Sequence, residues 1–152
     1  MKRLVVLDSG PLGLLAHTKL TGDAIDCTRW MRQVTSAGNQ VVIPEISDYE
    51  VRRELLRIGL TKGLLKLESL LTVSGVRYLS IDTPAMRLAA NLWADARRYG
   101  QPTAAPEALD ADVILAAQAI GLTAAGEVIV ATVNVDHLAR YASAAHWREI
   151  EP

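Results

Sequence analysis

The sequence has one cysteine, no excess of charge of either sign, and no long apolar run. A lone Cys27 excludes an internal disulfide and argues against a cysteine-based metal site, as expected in a reducing compartment. Sixteen Lys and Arg against seventeen Asp and Glu give a formal charge of -1, so no strong basic field indicates nucleic acid. An RNA substrate stays compatible with this balance if Arg and Lys surround an acidic metal site.

Segments that would cross or target a membrane are also lacking. The N-terminal run MKRLVVLDSGPLGLLAH is interrupted by Asp8 and shows no signal-peptidase site. No other apolar stretch reaches the roughly 18 to 20 residues that a bilayer requires. We therefore expect a soluble cytoplasmic protein without a membrane partner. With 152 residues, 50% hydrophobic and 22% charged, the chain fits one domain over residues 1–152.

Short β-branched runs alternate with helical patterns along the whole chain. This alternation predicts an α/β fold in which a mainly parallel sheet is covered by helices on both faces. In such a sheet the carboxyl ends of the strands lie on one edge, where ligands bind. The predicted strands are Leu4 to Leu7, Gln40 to Ile43, Arg77 to Ile81, Glu127 to Ala131 and His146 to Ile150.

The stretch LDADVILAAQAIGL, residues 109–122, combines a buried-looking helix with acids at its start. Between Val113 and Ile120 the only polar side chain is Gln118, which indicates a helix inside the protein. One interpretation makes Asp110 the N-cap and Asp112 a first-turn acid that complements the helix dipole. The other makes them part of a site, because acids occur at comparable positions elsewhere in the chain.

Those other acids follow predicted strands. Asp8 ends the first strand, Glu50 lies at the start of the helix after the second, and Asn134 and Asp136 follow the fourth. Glu50 has a structural alternative, because Ser47 and Glu50 have the spacing of an S-x-x-E capping box. Convergence at one sheet edge would bring these side chains together despite their separation in sequence.

Converging carboxylates predict a cation. Two carboxylates about 4 Å apart repel by roughly 4 kcal/mol at an effective dielectric of about 20, so a cluster needs protons or cations. Oxygen ligands without cysteine or a His pair indicate Mg²⁺ or Mn²⁺ rather than zinc. Such ions polarise phosphoryl oxygens and activate water, which is the chemistry of phosphodiester hydrolysis.

Four motifs in order, LVVLDSG, ISDYEVRREL, DVILAAQA and TVNVDHL, resemble those of PIN-domain ribonucleases, in particular the VapC-type toxins of bacterial toxin-antitoxin pairs. The resemblance spans nearly the whole chain. It implies a three-layer α/β/α PIN-like fold and a metal-dependent endoribonuclease. It also implies a homodimer and a small cognate antitoxin whose basic side chain occupies the acidic pocket.

The resemblance also implies roles for individual residues. Asp8, Glu50 and Asp112 would hold Mg²⁺ or Mn²⁺, with Asn134 or Asp136 completing the shell. Asp110 and Thr132 would be auxiliary, and Ser9 would either hold a ligand water or stabilise a turn. The RNA backbone would be bound by a set of basic side chains that are otherwise a solvated, ion-paired face: Arg52, Arg53, Lys62 and Lys66.

Two other hypotheses remain open from the sequence. The first keeps the fold without the reaction, as an RNA-binding or scaffold subunit, because Asn134 carries no charge where the family often has an acid. The second is a phosphotransfer enzyme with Asp8 as nucleophile. The second lacks support because DSGPL has no second aspartate two residues after Asp8.

Overall fold

The computed structural model describes residues 2–19, 21–100 and 106–152. The strands in these ranges are β1 (Arg3–Leu7), β2 (Gln40–Pro44), β3 (Val76–Leu79), β4 (Glu127–Thr132) and β5 (Ala144–His146). The helices are α1 (Ser9–Leu15), α2 (Gly22–Ser36), α3 (Glu45–Ile58), α4 (Thr61–Leu70), α5 (Thr83–Tyr99), α6 (Pro106–Ile120) and α7 (Val135–Ala139).

The strands form one sheet in the order β3-β2-β1-β4-β5. All the strand pairings are parallel, with Val5 opposite Val41 on one side and opposite Ile129 on the other. The carboxyl ends of all five strands therefore lie on the same edge. The central strands are built from continuous β-branched runs because both sheet faces are covered.

Helices cover the sheet on both faces. The face that carries Val5, Leu7 and Ile43 packs against α1, α2 and α4. The opposite face, with Leu4, Val6 and Val42, packs against the apolar side of α6, and α5 packs on the outside of α6. This is the predicted three-layer α/β/α PIN-like fold with a parallel sheet, and the prediction of fold class is confirmed.

The start of α6 differs from the prediction. The helix begins at Pro106, so Asp110 is its fifth residue and Asp112 its seventh. Neither residue caps the helix or lies in its first turn, and the interpretation as a cap and a first-turn acid is wrong. Both residues lie inside the helix, so the surroundings of each side chain depend on which side of α6 it faces.

The predicted capping box in α3 is also wrong. The helix begins at Glu45, directly after Pro44, so Ser47 is already inside it. The Ser47 side chain is fully buried and its hydroxyl has no hydrogen-bond partner in the described residues. The pair Thr83-Pro84 predicts a helix with Thr83 as its cap, but the cap of α5 is Asp82, whose side chain accepts from the Ala85 amide.

Smaller differences concern element ends and one core residue. The last strand is Ala144–His146, followed by a 3-10 turn over Trp147–Glu149, instead of a strand from His146 to Ile150. The helical spacing from Asp23 to Ala37 predicts Ile25 on the inner side of α2, but it is 39% exposed. Cys27 takes the buried position, and burial raises the pKa of its thiol to about 12.

Helix α5 has 17 residues. Among the helices of the described ranges, none is both long and apolar enough to span a bilayer.

Candidate metal centre at the carboxyl edge of the sheet

Asp8 lies between the end of β1 and the start of α1, and its carboxylate is held on both oxygens. Oδ1 accepts the Ser9 backbone amide at 2.7 Å, which makes Asp8 the N-cap of α1. Oδ2 accepts the Thr132 hydroxyl at 2.7 Å. The residue is only 9% exposed, so its orientation is fixed by the ends of two adjacent strands, β1 and β4.

Glu50 reaches the same region from α3. Burial raises the pKa of the Glu50 carboxyl above its usual range, and the negative charge of Asp8 raises it further. The positive charge of Arg53 offsets part of this increase, and Asp112 adds to it. Glu50 is therefore within electrostatic range of both other predicted acids.

Asp112 approaches from α6 with one oxygen unpaired. Its Oδ2 is buried without a hydrogen-bond partner in the described residues. His137 Nδ1 is 3.6 Å away, which is too far for a hydrogen bond. Burial is the main cause of the raised pKa of Asp112, Asp8 adds to it, and His137 and Arg140 lower it in part. A buried carboxylate oxygen without a donor is costly unless a cation or proton approaches it.

The three carboxylates thus fit the chemistry of a hard cation. Their charges act on one another, and Asp112 Oδ2 has no hydrogen-bond partner among the described residues. Every available ligand is a carboxylate oxygen, as Mg²⁺ and Mn²⁺ prefer. The described residues contain no three His, Cys, Asp or Glu side chains already arranged as a metal site. The metal and its ligands therefore stay a prediction, with which the carboxylate oxygens of these three residues are compatible.

The remaining predicted site residues fall into a buried and an exposed group. Thr132 is fully buried and joins the site, because its hydroxyl donates to Asp8 and accepts the Asn134 amide at 2.9 Å. Ser9 contributes its backbone amide to Asp8. The predicted site residues in the exposed group are Asp110, Asn134 and Asp136.

The predicted RNA-binding cations differ in their surroundings. Arg52 is engaged by Asp48 and Glu68, with N to O distances of 3.0 and 2.7 Å. Lys66 donates to the His17 carbonyl at 2.6 Å, and Lys62 is exposed. Arg53 is exposed, and its guanidinium lies 5.1 Å from the centre of the Tyr49 ring.

Sequence reasoning missed a second acidic network on α3. Tyr78 donates its hydroxyl to Asp48 Oδ2 at 2.9 Å, and Glu45 Oε1 accepts the Ile81 amide at 2.8 Å. Burial and the hydrogen bond to Asp48 raise the pKa of Tyr78. The spacing of Asp48 and Arg52, four residues apart on a helix, was a signal that could have identified this network.

A groove of about 360 Å³ lies beside Glu50, between α1 and α3. Ser9, Gly10 and Gly13 form one wall, and the other includes Arg53 with the apolar side chains of Val51, Leu55 and Ile58. A side chain built at Gly13 would meet no atom within 4 Å, so this wall is open. The groove connects an apolar surface to the carboxylates.

Comparison with known proteins shows that the fold is similar to those of solved structures. No protein-family model and no curated protein matches the sequence. One similar solved structure is VapBC2 from Rickettsia felis bound to a DNA fragment from their promoter, with a TM-score of 0.69 and 14% identity over 95% of this chain and 98% of that chain. Another is FitAcB from Neisseria gonorrhoeae, with a TM-score of 0.66 and 17% identity over 96% of this chain and 99% of that chain.

These comparisons correct the family assignment drawn from the motifs. The motifs predicted a PIN-domain ribonuclease of the VapC toxin type, and that assignment does not hold. No family model matches the sequence, and the similarity to VapBC2 and FitAcB, at 14% and 17% identity, is a similarity of fold alone. Three of the motifs combine a short run of mainly apolar residues with an acid, and ISDYEVRREL is an amphipathic helical segment; α/β folds share both patterns. What the comparisons show for this chain is the fold.

Proposed function

We propose that the chain is a metal-dependent endoribonuclease whose site is formed by Asp8, Glu50 and Asp112. The observation that carries the proposal is the buried Oδ2 of Asp112, which has no hydrogen-bond partner in the part of the chain that the structure describes. Asp112 is within electrostatic range of Asp8, which also acts on Glu50. These three residues would hold Mg²⁺ or Mn²⁺. When bound, such an ion polarises a phosphoryl oxygen and lowers the pKa of a coordinated water.

The residues of this chain have distinct parts in the proposed reaction. The Ser9 amide and the Thr132 hydroxyl hold the Asp8 carboxylate in one orientation, so it needs no reorganisation when a substrate arrives. Burial and the charges of Asp8 and Asp112 raise the pKa of the Glu50 carboxyl, and a cation held between these acids would relieve their repulsion. Because the side chains of Glu50 and Asp112 are half-buried, few water molecules can surround these acids.

The decisive experiment compares Asp8→Asn with Asp82→Asn. Both aspartates are helix N-caps, but Asp82 caps α5 rather than joining the cluster. We expect Asp8→Asn to abolish Mn²⁺-dependent cleavage of a fluorescein-labelled RNA, and Asp82→Asn to keep it. The melting temperature should change little in Asp8→Asn, because the amide oxygen still accepts from Ser9 and repulsion is relieved. Full activity of Asp8→Asn would exclude the assignment.

The alternative is an RNA-binding or scaffold protein of the same fold without catalysis. It is favoured by the finding that the described residues hold no ready-made group of three metal ligands. Calorimetric titration with Mn²⁺ separates the two functions. Binding that is lost in Asp112→Asn supports the nuclease, whereas no binding in the millimolar range supports the scaffold.

We further propose that the protein works with a small partner of the toxin-antitoxin type. Support comes from the fold likeness to VapBC2 and FitAcB, and from the groove between α1 and α3, which joins apolar walls to Glu50. A segment with apolar side chains followed by an arginine would fit this combination of surfaces. The homodimer implied by the motif resemblance stays a prediction.

The partner proposal is tested by co-expression with the product of any small reading frame that adjoins the gene. Gly13→Leu should fill the groove without unfolding α1, because Gly13 has open space and leucine favours helix. We expect this variant to lose co-purification with the co-expressed partner and to keep its melting temperature. Unchanged co-purification would place the partner elsewhere.

A further inference from the structure

Several basic side chains near the carboxylates are already engaged by the protein itself. Arg52 and Arg57 form ion pairs, and Lys66 donates to a backbone carbonyl. Arg53 and Arg140 differ, because neither forms an ion pair with a carboxylate in the described ranges. Their guanidinium groups are therefore available to an anionic ligand.

Arg53 stands beside Glu50. It follows Glu50 by three residues on α3, which places the two side chains on neighbouring positions of the helix surface. The side chain is exposed and lies over the Tyr49 ring at 5.1 Å, so an aromatic face holds the guanidinium plane near the groove. Its positive charge reaches the Glu50 carboxyl.

Arg140 lies within electrostatic range of Asp112, because its positive charge offsets part of the increase in the pKa of the Asp112 carboxyl. It caps α7 three residues after His137, whose Nδ1 is 3.6 Å from Asp112 Oδ2. Arg140 is exposed, and its guanidinium lies 5.3 Å from the centre of the Tyr141 ring. Both arginines therefore combine an aromatic support, an exposed guanidinium and a neighbouring acid of the candidate site.

The sheet order places these two arginines on opposite sides of Asp8. Arg53 belongs to the helix after β2, Asp8 follows β1, and Arg140 follows β4, while the strands are ordered β2-β1-β4. A polyanion that crosses this edge meets a cation, then the carboxylates, then a second cation. Without these cations the carboxylates alone would repel a nucleic-acid strand.

We propose that Arg53 and Arg140 bind the backbone phosphates on either side of the scissile one, so that the RNA strand runs across the carboxylates from the α3 side to the α7 side. This inference rests on the proposed ribonuclease function. Arginine suits the role because its planar fork of donors binds a phosphate through two parallel hydrogen bonds. Arg52 is bound by two carboxylates and Lys66 by a backbone carbonyl, so their donors are less available to a phosphate.

The test measures binding without cleavage, in the Asp8→Asn background with EDTA present. A short fluorescein-labelled single-stranded RNA is titrated by fluorescence anisotropy at several salt concentrations. We expect Arg53→Gln and Arg140→Gln each to weaken binding severalfold and to reduce the slope of log K against log salt by about 0.7, the value for one phosphate contact with a single strand. The double variant should lose about 1.4.

Two matched controls separate phosphate binding from general charge. Arg57 lies one turn after Arg53 on α3, and Arg87 is exposed on α5. Arg57→Gln and Arg87→Gln should leave the salt slope unchanged. Slopes for Arg53→Gln or Arg140→Gln that equal these controls would overturn the inference, as would the absence of RNA binding.

Wild-type cleavage with Mn²⁺ is measured in parallel and distinguishes the two proposals. Cleavage with unaffected slopes refutes only the phosphate-binding role. Reduced slopes in Arg53→Gln and Arg140→Gln without wild-type cleavage support the phosphate contacts and refute only the nuclease.

Discussion

Helix α3 carries two groups of acids with opposite surroundings. Asp48 is paired with Arg52 and receives the hydroxyl of Tyr78, and Glu45 receives the Ile81 amide. Glu50, on the other side of the same helix, meets mainly other acids and has a raised pKa. Both groups lie at the carboxyl edge of the sheet. The difference is that donors within the protein bind Asp48 and Glu45, whereas the charges that act on Glu50 are mainly those of the acids Asp8 and Asp112.

This contrast separates acids that hold the fold together from acids that are available to a ligand. A buried carboxylate is stable when donors satisfy it, and it destabilises the folded state when like charges surround it. Proteins retain unfavourable groups of this kind mainly at functional sites. Substitutions in the Asp48 network and at Glu50 should therefore have different effects on stability.

The largest effect is expected from Asp48→Asn. The substitution removes the charge that Arg52 contacts and weakens the acceptor of the Tyr78 hydroxyl. We expect the free energy of unfolding to fall by about 2 to 3 kcal/mol, the usual cost of losing hydrogen bonds to a charged group. Urea denaturation measures this change directly.

Glu50→Gln on the same helix is the matched control for Asp48→Asn. Its stability should be unchanged or higher, because a neutral side chain relieves the repulsion with Asp8 and Asp112. An equal loss of stability in both variants would show that the two groups of acids do not differ in kind.

The pH dependence of stability should reflect the raised pKa values of Glu50 and Asp112. The pKa values of Glu50 and Asp112 are raised above 4.5 and 3.8, so the folded state binds their protons more tightly than the unfolded state. Their contribution is fully stabilising below these ordinary values and is lost as the pH rises through the raised ones. The wild type should therefore lose stability relative to Glu50→Gln over this window.

Thermal unfolding of both proteins from pH 3.5 to neutral, on the scale of these carboxyl pKa values, tests the expectation. The difference in melting temperature between wild type and Glu50→Gln should grow with pH and shrink when Mn²⁺ is added. Parallel curves would contradict the assignment of raised pKa values to this cluster.

A smaller effect is expected from Tyr78→Phe. Its hydroxyl donates to Asp48, and losing one such bond costs about 1 kcal/mol. Tyr141→Phe is the control, because the Tyr141 hydroxyl is buried without a partner in the described residues. Urea denaturation should show a loss for Tyr78→Phe and none for Tyr141→Phe. A larger loss for Tyr141→Phe would mean that the Tyr78 hydrogen bond contributes little.

The fold was predictable from the sequence because burial of a parallel sheet leaves a strong pattern. Continuous β-branched runs such as Val5-Val6 and Val41-Val42 have few alternatives to a covered strand. Helix starts were less predictable. Pro44 permits a helix to begin immediately after β2, and Asp82 competes with Thr83 as the cap, so local residue preferences did not decide between neighbouring positions.

The sequence was sufficient to predict which helices and strands carry the candidate site, but not which side chains contact one another there. The sequence pattern predicts that Asp8, Glu50 and Asp112 lie at one edge of the sheet. The helical spacing that pairs Asp48 with Arg52 also pairs Glu50 with Arg53, so spacing alone does not distinguish the two acids. That distinction depends on β3 and α4, which supply Tyr78 and Glu68 from distant parts of the chain. The family assignment failed for a related reason, because short acidic motifs describe the sheet edge rather than a lineage.

Gln118 is the only polar side chain between Val113 and Ile120 of α6, and its amide spans two other elements. Its Oε1 accepts the Ile46 amide at the start of α3, and its Nε2 donates to the Leu79 carbonyl at the end of β3. A slide of α6 along its axis would break both bonds and carry Asp112 away from Asp8. The height of the third acid above the sheet is thus set from the far end of its own helix.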